Sequence, residues 1–223
     1  VSRGYLQFCG LARAMEMVGG RWALLIVREL LDGPRRFTDL QKGLPGIPTN
    51  VLSARLKELE ELDIATRRLL GRSVAYELTD YGRELDSAMV TLGMWGARRL
   101  GTRGPDDFFS VHSLSLALRG AFRADPGDPD YLFELRIGED ELLVSISHGT
   151  LSFPAEGDHR PDATIETDAD TIFQILNGTT DLDEAIATGL AGVTGNLRAA
   201  KRFVDLFRMP QPVDAVAGAA QTS

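Results

Sequence analysis

The chain has 223 residues, 43% of them apolar and 25% charged, with a net charge of −8 and a single cysteine. That length allows two separate cores, while one cysteine excludes an intrachain disulfide framework and a cysteine-based zinc cluster. No apolar run reaches membrane-spanning length and VSRGYLQFCG lacks the apolar centre of a signal peptide, so the expectation is a cytoplasmic chain with no membrane partner. In chain order, Leu11 to Val18 is expected as a helix broken by Gly19-Gly20. Trp22 to Leu31 is a second, strongly apolar helix that Asp32-Gly33-Pro34 ends. Phe37 to Leu44 forms a third helix, with Thr38 as its expected cap. Gly46 and Pro48 then break the chain sharply before a fourth helix, in which Leu52, Leu56 and Leu59 recur at spacings of four and three. IATRRLLGRSVAYELT reads as a hairpin around Gly71-Arg72, with Thr66, Leu69, Val74, Tyr76 and Leu78 as strand formers. Thr79 should cap a long helix to about Leu100, carrying Leu85, Met89, Leu92 and Trp95 on one face.

Helix, tight turn, amphipathic helix and β-ribbon follow in the order of a winged helix-turn-helix, whose second helix enters the major groove of DNA. Pro48, Thr49, Asn50 and Ser53 stand at the start of that helix, where short polar side chains can reach base edges. Arg55 and Lys57, further along, suit phosphates, as do Arg67, Arg68 and Arg72 in or beside the hairpin turn. The competing reading of each element alone is a solvated surface helix and a solvated hairpin tip; their succession favours double-stranded DNA as partner. Charge is divided in the same sense. Residues 1–104 hold 16 Lys and Arg against 12 Asp and Glu, whereas residues 105–223 hold 8 against 20. The acidic half is expected to face away from phosphates.

The stretch from Cys9 to about Leu100 resembles the HxlR family of bacterial winged-helix regulators, relatives of the MarR group. The resemblance rests on CGLARAMEMVGGRWALLIVRELLDGPRRFTDL, LPGIPTNVLSARLKELEELDI, YELTDYGREL and a closing MWG. It implies a transcription regulator that binds an operator as a homodimer through its terminal helices, here those bearing Leu11, Met15, Val18 and Leu85 to Trp95. Two departures stand out: Cys9 is followed by Gly10 where the family usually has proline, and the wing RLLGRSVA is short. In the family a cysteine at this place can sense oxidants or electrophiles. Here Arg3 and Arg13 are the nearest cations and Leu6, Phe8 and Leu11 surround Cys9 in sequence, so a buried, inert thiol is the expectation, with a redox role as the alternative.

After TRGPDD, the periodicity changes. His112 to Arg123 is expected as a helix. YLFELRI and ELLVSISH alternate strictly about the turn Gly138-Glu139-Asp140, a hairpin signal. GTLSF and ATIETD read as strands, Asp168–Asn177 and Leu182–Thr188 as helices, GLAGVTGN as a short strand, and Leu197 to Phe207 as a final amphipathic helix. With Pro161 to Thr164, Asn177-Gly178 and the run of Gly189, Gly192 and Gly195, this order resembles a sterol-carrier-protein-like domain. The resemblance implies an apolar cavity for a lipid or acyl ligand. Phe133, Phe173, Phe203 and Phe207 are the residues expected to line it, although rings from so many elements suit a filled core equally well.

The fold class is therefore α+β: a winged helix-turn-helix domain, then a sterol-carrier-like domain with an antiparallel-rich sheet covered by helices. The expected boundaries are 1–101 for the DNA-binding and dimerisation domain, 102–109 for a linker, 110–210 for the second domain and 211–223 for a disordered tail. No catalytic constellation, phosphate loop or metal-ligand spacing is present; His112, His148 and His159 fall in separate elements. No enzyme activity, cofactor or metal is expected. Two functions remain: a dimeric DNA-binding regulator with a possible hydrophobic small-molecule effector, or a lipid carrier whose winged helix binds protein.

Overall fold

The computed structural model describes residues 4–101, 103–104, 106–123, 125, 127, 129–155 and 160–213. His159 and most of the expected tail lie outside the described residues. The chain forms two compact units, the first comprising Val1–Val90, Phe108–Leu116 and Phe153–Gly157, the second Thr91–Asp107, Ala117–Ser152 and Asp158–Ser223.

The first unit opens with α1 (Gly10–Val18), α2 (Ala23–Leu30), a two-residue strand β1 (Arg35–Arg36) and α3 (Phe37–Gly43). Then come α4 (Thr49–Glu61), β2 (Ala65–Leu70), β3 (Ser73–Leu78), α5 (Asp80–Arg83) and the beginning of α6 (Leu85–Ala97). One core holds it together: Ile26, Leu30, Leu40, Leu52, Leu56 and Leu59 are all 0–1% exposed and belong to one cluster with Ile64 and Leu78. Full burial of each such side chain contributes about 1.5–3 kcal/mol. Between α3 and α4 the chain reverses at Gly46, whose φ of +83° favours a residue without a Cβ. At the far end of α4, Ile64 N–H donates to the Leu59 carbonyl at 2.9 Å and Asp63 N–H to that of Glu60 at 3.1 Å. These are the two bonds of a Schellman motif, with Asp63 in the left-handed position at φ +56°.

β2 and β3 pair antiparallel from Ala65↔Leu78 to Leu70↔Ser73, and β1 joins β3, giving the order β1-β3-β2. Two expectations need correction. Arg36, not Thr38, precedes α3; its N–H donates to the Asp39 carboxylate at 3.2 Å, and Thr38 is an exposed residue inside the helix. Thr79 does cap, accepting from Gly82 N–H at 2.9 Å, but the helix it starts is only α5, and α6 begins separately after Glu84. His112 lies in α7 (Val111–Ala121) and joins a buried polar group. Its Nδ1 is 3.1 Å from Asp32 Oδ2, Ser115 donates to the same carboxylate at 2.5 Å, and Ser110 donates to buried Glu29 at 3.3 Å. Arg28 reaches Glu29 Oε1 at 2.7 Å, so both burying carboxylates have partners, as burial of charge requires.

The second unit contains one five-stranded sheet in the order β6-β5-β4-β7-β8. Its strands are β4 (Tyr131–Ile137), β5 (Asp140–Ser147), β6 (Thr150–Ser152), β7 (Ala163–Thr167) and β8 (Ala191–Gly195). Only β4 and β7 pair parallel; every other neighbour is antiparallel. Alternation decides the buried face: Phe133, Leu135 and Ile137 of β4 and Leu142, Val144 and Ile146 of β5 turn inward. α8 (Ala169–Asn177), α9 (Leu182–Ala187) and α10 (Leu197–Asp205) each start at a capping side chain. Asp168 accepts from Thr171 N–H at 2.8 Å, Asp181 from Glu184 N–H at 2.7 Å, and Asn196 from Arg198 N–H at 3.0 Å. α10 packs on β4, β7 and β8 and buries Ala199, Ala200 and Phe203.

Candidate nucleic-acid interface

The start of α4 is an exposed polar edge above a buried leucine stripe. Pro48, Thr49, Asn50 and Ser53 are all exposed, while Leu52 one step away is fully buried. Local hydrogen bonds already engage two of them. Gln41 of α3 donates to Thr49 Oγ1 at 2.7 Å, which ties the two helices of the pair together across their turn. Ser53 donates to the Thr49 carbonyl at 2.9 Å, leaving its oxygen free to accept. Among the described residues nothing bonds the Asn50 side chain. Its amide, which offers both donor and acceptor, is wholly open to a ligand.

The cations are arranged otherwise. Arg55 pairs with Glu58 on its own helix, and Lys57 Nζ is 3.6 Å from Glu61 Oε1. Arg67 holds Glu60 with two bonds, Nε to Oε1 at 2.9 Å and Nη2 to Oε2 at 3.1 Å, and its guanidinium lies 5.7 Å from the Tyr76 ring centre. Arg68 Nη1 is 3.0 Å from Glu77 Oε2. Arg72, at the turn with Gly71, has no ion-pair partner among the described residues. The sequence reading placed all five as available cations. Spacings of three and four residues along one helix account for the Arg55–Glu58 and Lys57–Glu61 pairs, whereas the Arg67 and Arg68 pairs join different elements.

Cys9 corrects an expectation. The residue is exposed, directly before the first turn of α1, among Leu6, Phe8 and Leu11, which are 91%, 113% and 72% exposed. Its apolar neighbours face outward instead of enclosing it. Backbone N–H groups of Ala12 first and then Leu11 hold the thiol below its ordinary pKa, as helix N-termini do. In the second unit, Phe133, Phe203 and Phe207 converge: ring centres lie 5.1 Å apart for the first pair and 4.8 Å for the second. They are 0%, 0% and 3% exposed, and Phe122 and Tyr131 extend the stack at 5.8 and 5.2 Å. Phe173 is half-buried on α8.

Residues 17–103 match the HxlR-like helix-turn-helix family and residues 130–208 the SCP-2 sterol transfer family. HTH-type transcriptional regulator MT3179 of Mycobacterium tuberculosis is 46% identical over 87 residues, which make up 38% of this chain and 54% of that protein. The chain thus spans about half the length of that relative. YtcD of Bacillus subtilis, another HTH-type transcriptional regulator, is 34% identical over 100 residues, covering 44% of this chain and 79% of YtcD. The reduced form of the regulator YodB from Bacillus subtilis superposes with a TM-score of 0.38 at 32% identity, over 45% of this chain and all of that one. The chain belongs to the HxlR-like helix-turn-helix family and carries an SCP-2 domain after its helix-turn-helix domain. Among the described residues no helix is long and apolar enough to cross a membrane.

Proposed function

We propose that the protein is a homodimeric, sequence-specific transcription regulator that reads an operator in double-stranded DNA through the N-terminal edge of α4. The observation that carries this reading is Asn50: an exposed, unbonded amide on the first turn of the second helix of a helix-turn-helix. An amide of this kind can bond both N6 and N7 of adenine, while Thr49 and Ser53 beside it accept or donate single bonds. Arg72 at the tip of the hairpin supplies a phosphate contact without losing an existing partner. Thr38 on α3 and Pro48 before α4, both exposed, are the further contacts proposed for this interface. Dimerisation is supported by apolar side chains left in solvent: Leu11 and Met15 on α1 are 72% and 45% exposed, Leu92 and Trp95 on α6 51% and 69%. A DNA partner implies the cytoplasm of a bacterial cell as the working compartment.

An apolar effector in the SCP-2 domain is the finer part of the proposal, and the family match is what supports it. A ligand at Phe133, Phe203 and Phe207 has to part rings that now touch. Cys9, exposed and inclined to its thiolate, is the alternative input for a chemical signal. The test of the main reading is a gel shift with DNA from upstream of the protein's own gene against an unrelated duplex of equal length. A complex on the first at concentrations that leave the second free is the expected result; equal retardation of both, or of neither, removes the reading.

A further inference from the structure

The free protein holds two of its wing arginines, Arg67 and Arg68, in ion pairs with largely buried carboxylates. Glu60 and Glu77 side chains are only 23% and 20% exposed, whereas Arg67 and Arg68 are 60% and 56% exposed. The carboxylates are the more buried partners and the arginines the more exposed ones. Strand geometry separates the two pairs. Adjacent residues on β2 point to opposite faces, so Arg67 stands opposite Tyr76 on one face and reaches Glu60 of α4. Arg68 leans the other way, diagonally across to Glu77 on β3, which pairs in register with Thr66. Each face of β2 therefore carries one arginine held by an acid, Glu60 from α4 on one side and Glu77 from β3 on the other. The whole DNA-binding pair follows suit: residues 33–82 contain eight Lys and Arg and seven Asp and Glu. Binding to DNA of arbitrary sequence is almost wholly a matter of cations displacing counterions from phosphates. Such a surface offers very little of that driving force.

We propose that Glu60 and Glu77 are positioning residues that restrain binding to DNA at large, by holding Arg67 and Arg68 in ion pairs that any phosphate contact must break. The inference rests on the DNA-binding reading of α4 and the wing. A phosphate approaching either arginine meets a carboxylate of its own sign within the same contact, so the exchange is opposed on every sequence alike. Base contacts by Asn50 are untouched by this opposition, because no acidic group bonds that side chain. Affinity is thereby weighted toward sequence and away from charge.

The test uses the full chain and an unrelated duplex, titrated over a range of salt concentrations. The double variant Glu60→Gln and Glu77→Gln is expected to bind that duplex about fivefold more tightly at low salt, the scale on which an exposed ion pair resists exchange. The slope of log K against log salt should steepen by about 1.8, or about 0.9 for each arginine released. Glu60→Asp, which keeps the charge, should remain at the wild-type value. Adding Arg67→Ala and Arg68→Ala to the glutamine variant should return both affinity and slope for this duplex to about the wild-type values, which ties the gain to these two arginines. Unchanged binding and slope in a glutamine variant with wild-type melting overturns the proposal, as does a gain that persists when both arginines are also removed. Failure of wild type and variant to bind any duplex, including one selected from a random pool, would defeat the DNA reading itself and is a separate result.

Discussion

At the start of α4, Thr49, Asn50 and Ser53 stand in solvent with at least one hydrogen-bonding group still open, whereas Phe133, Phe203 and Phe207 in the second unit turn their rings on one another and exclude it. Both groups gather residues from different turns or elements, and both were candidates for binding on sequence grounds. The difference teaches how to weigh such candidates. A polar group with spare donors gains from a partner, because the bond it makes replaces one to water. A ring already in contact on its faces and edges gains only if the ligand packs better than its neighbours do.

The largest expected effect tests the closed side of this comparison. Phe203→Ala should destabilise the second unit by about 3–5 kcal/mol, measured by chemical denaturation, because the ring is fully buried between Phe133 and Phe207. A loss under about 1 kcal/mol would mean that the ring borders open space, and would restore these residues as a ligand wall.

The open side comes next. Asn50→Ala should reduce preference for the operator over single-base variants by about 1–3 kcal/mol, the scale of one bidentate base contact. Melting should stay put, since the native side chain has no partner to lose. Equal binding to all variants before and after the substitution would remove Asn50 from the reading edge. Smaller again is the support beneath that edge. Thr79→Ala removes the cap on α5 and its bond to Gly82 N–H, with an expected loss of about 1 kcal/mol in thermal or denaturant unfolding. Because α5 follows directly on β3, this substitution should lower stability without altering base preference; a change in preference would show that the cap positions the wing as well.

Much of this was legible beforehand where local pattern decides structure. The leucines of α4, the hairpin about Gly71 and the strict alternation of β4 and β5 each state their burial in a few residues, and the structure follows them. What could not be read depends on partners distant in sequence. β1 is two arginines that become a strand only because β3 offers them a ladder. The Arg67–Glu60 pair spans α4 and β2, and its existence depends on the angle at which the Schellman turn delivers β2. Cys9 was expected to be buried among apolar neighbours, yet in this short segment those neighbours are themselves exposed. The break at Glu84 left no mark in the apolar spacing, which runs on through Leu85 and Met89.

Selection of bound sequences from a pool of random duplexes tests the central claim most directly. A dimer that reads bases through α4 should enrich an inverted repeat whose half-sites lie about one helical turn apart. The Asn50→Ala protein should lose the consensus at one position in each half. A pool that shows no enrichment after repeated rounds, or that converges on a single unrepeated site, would contradict the account.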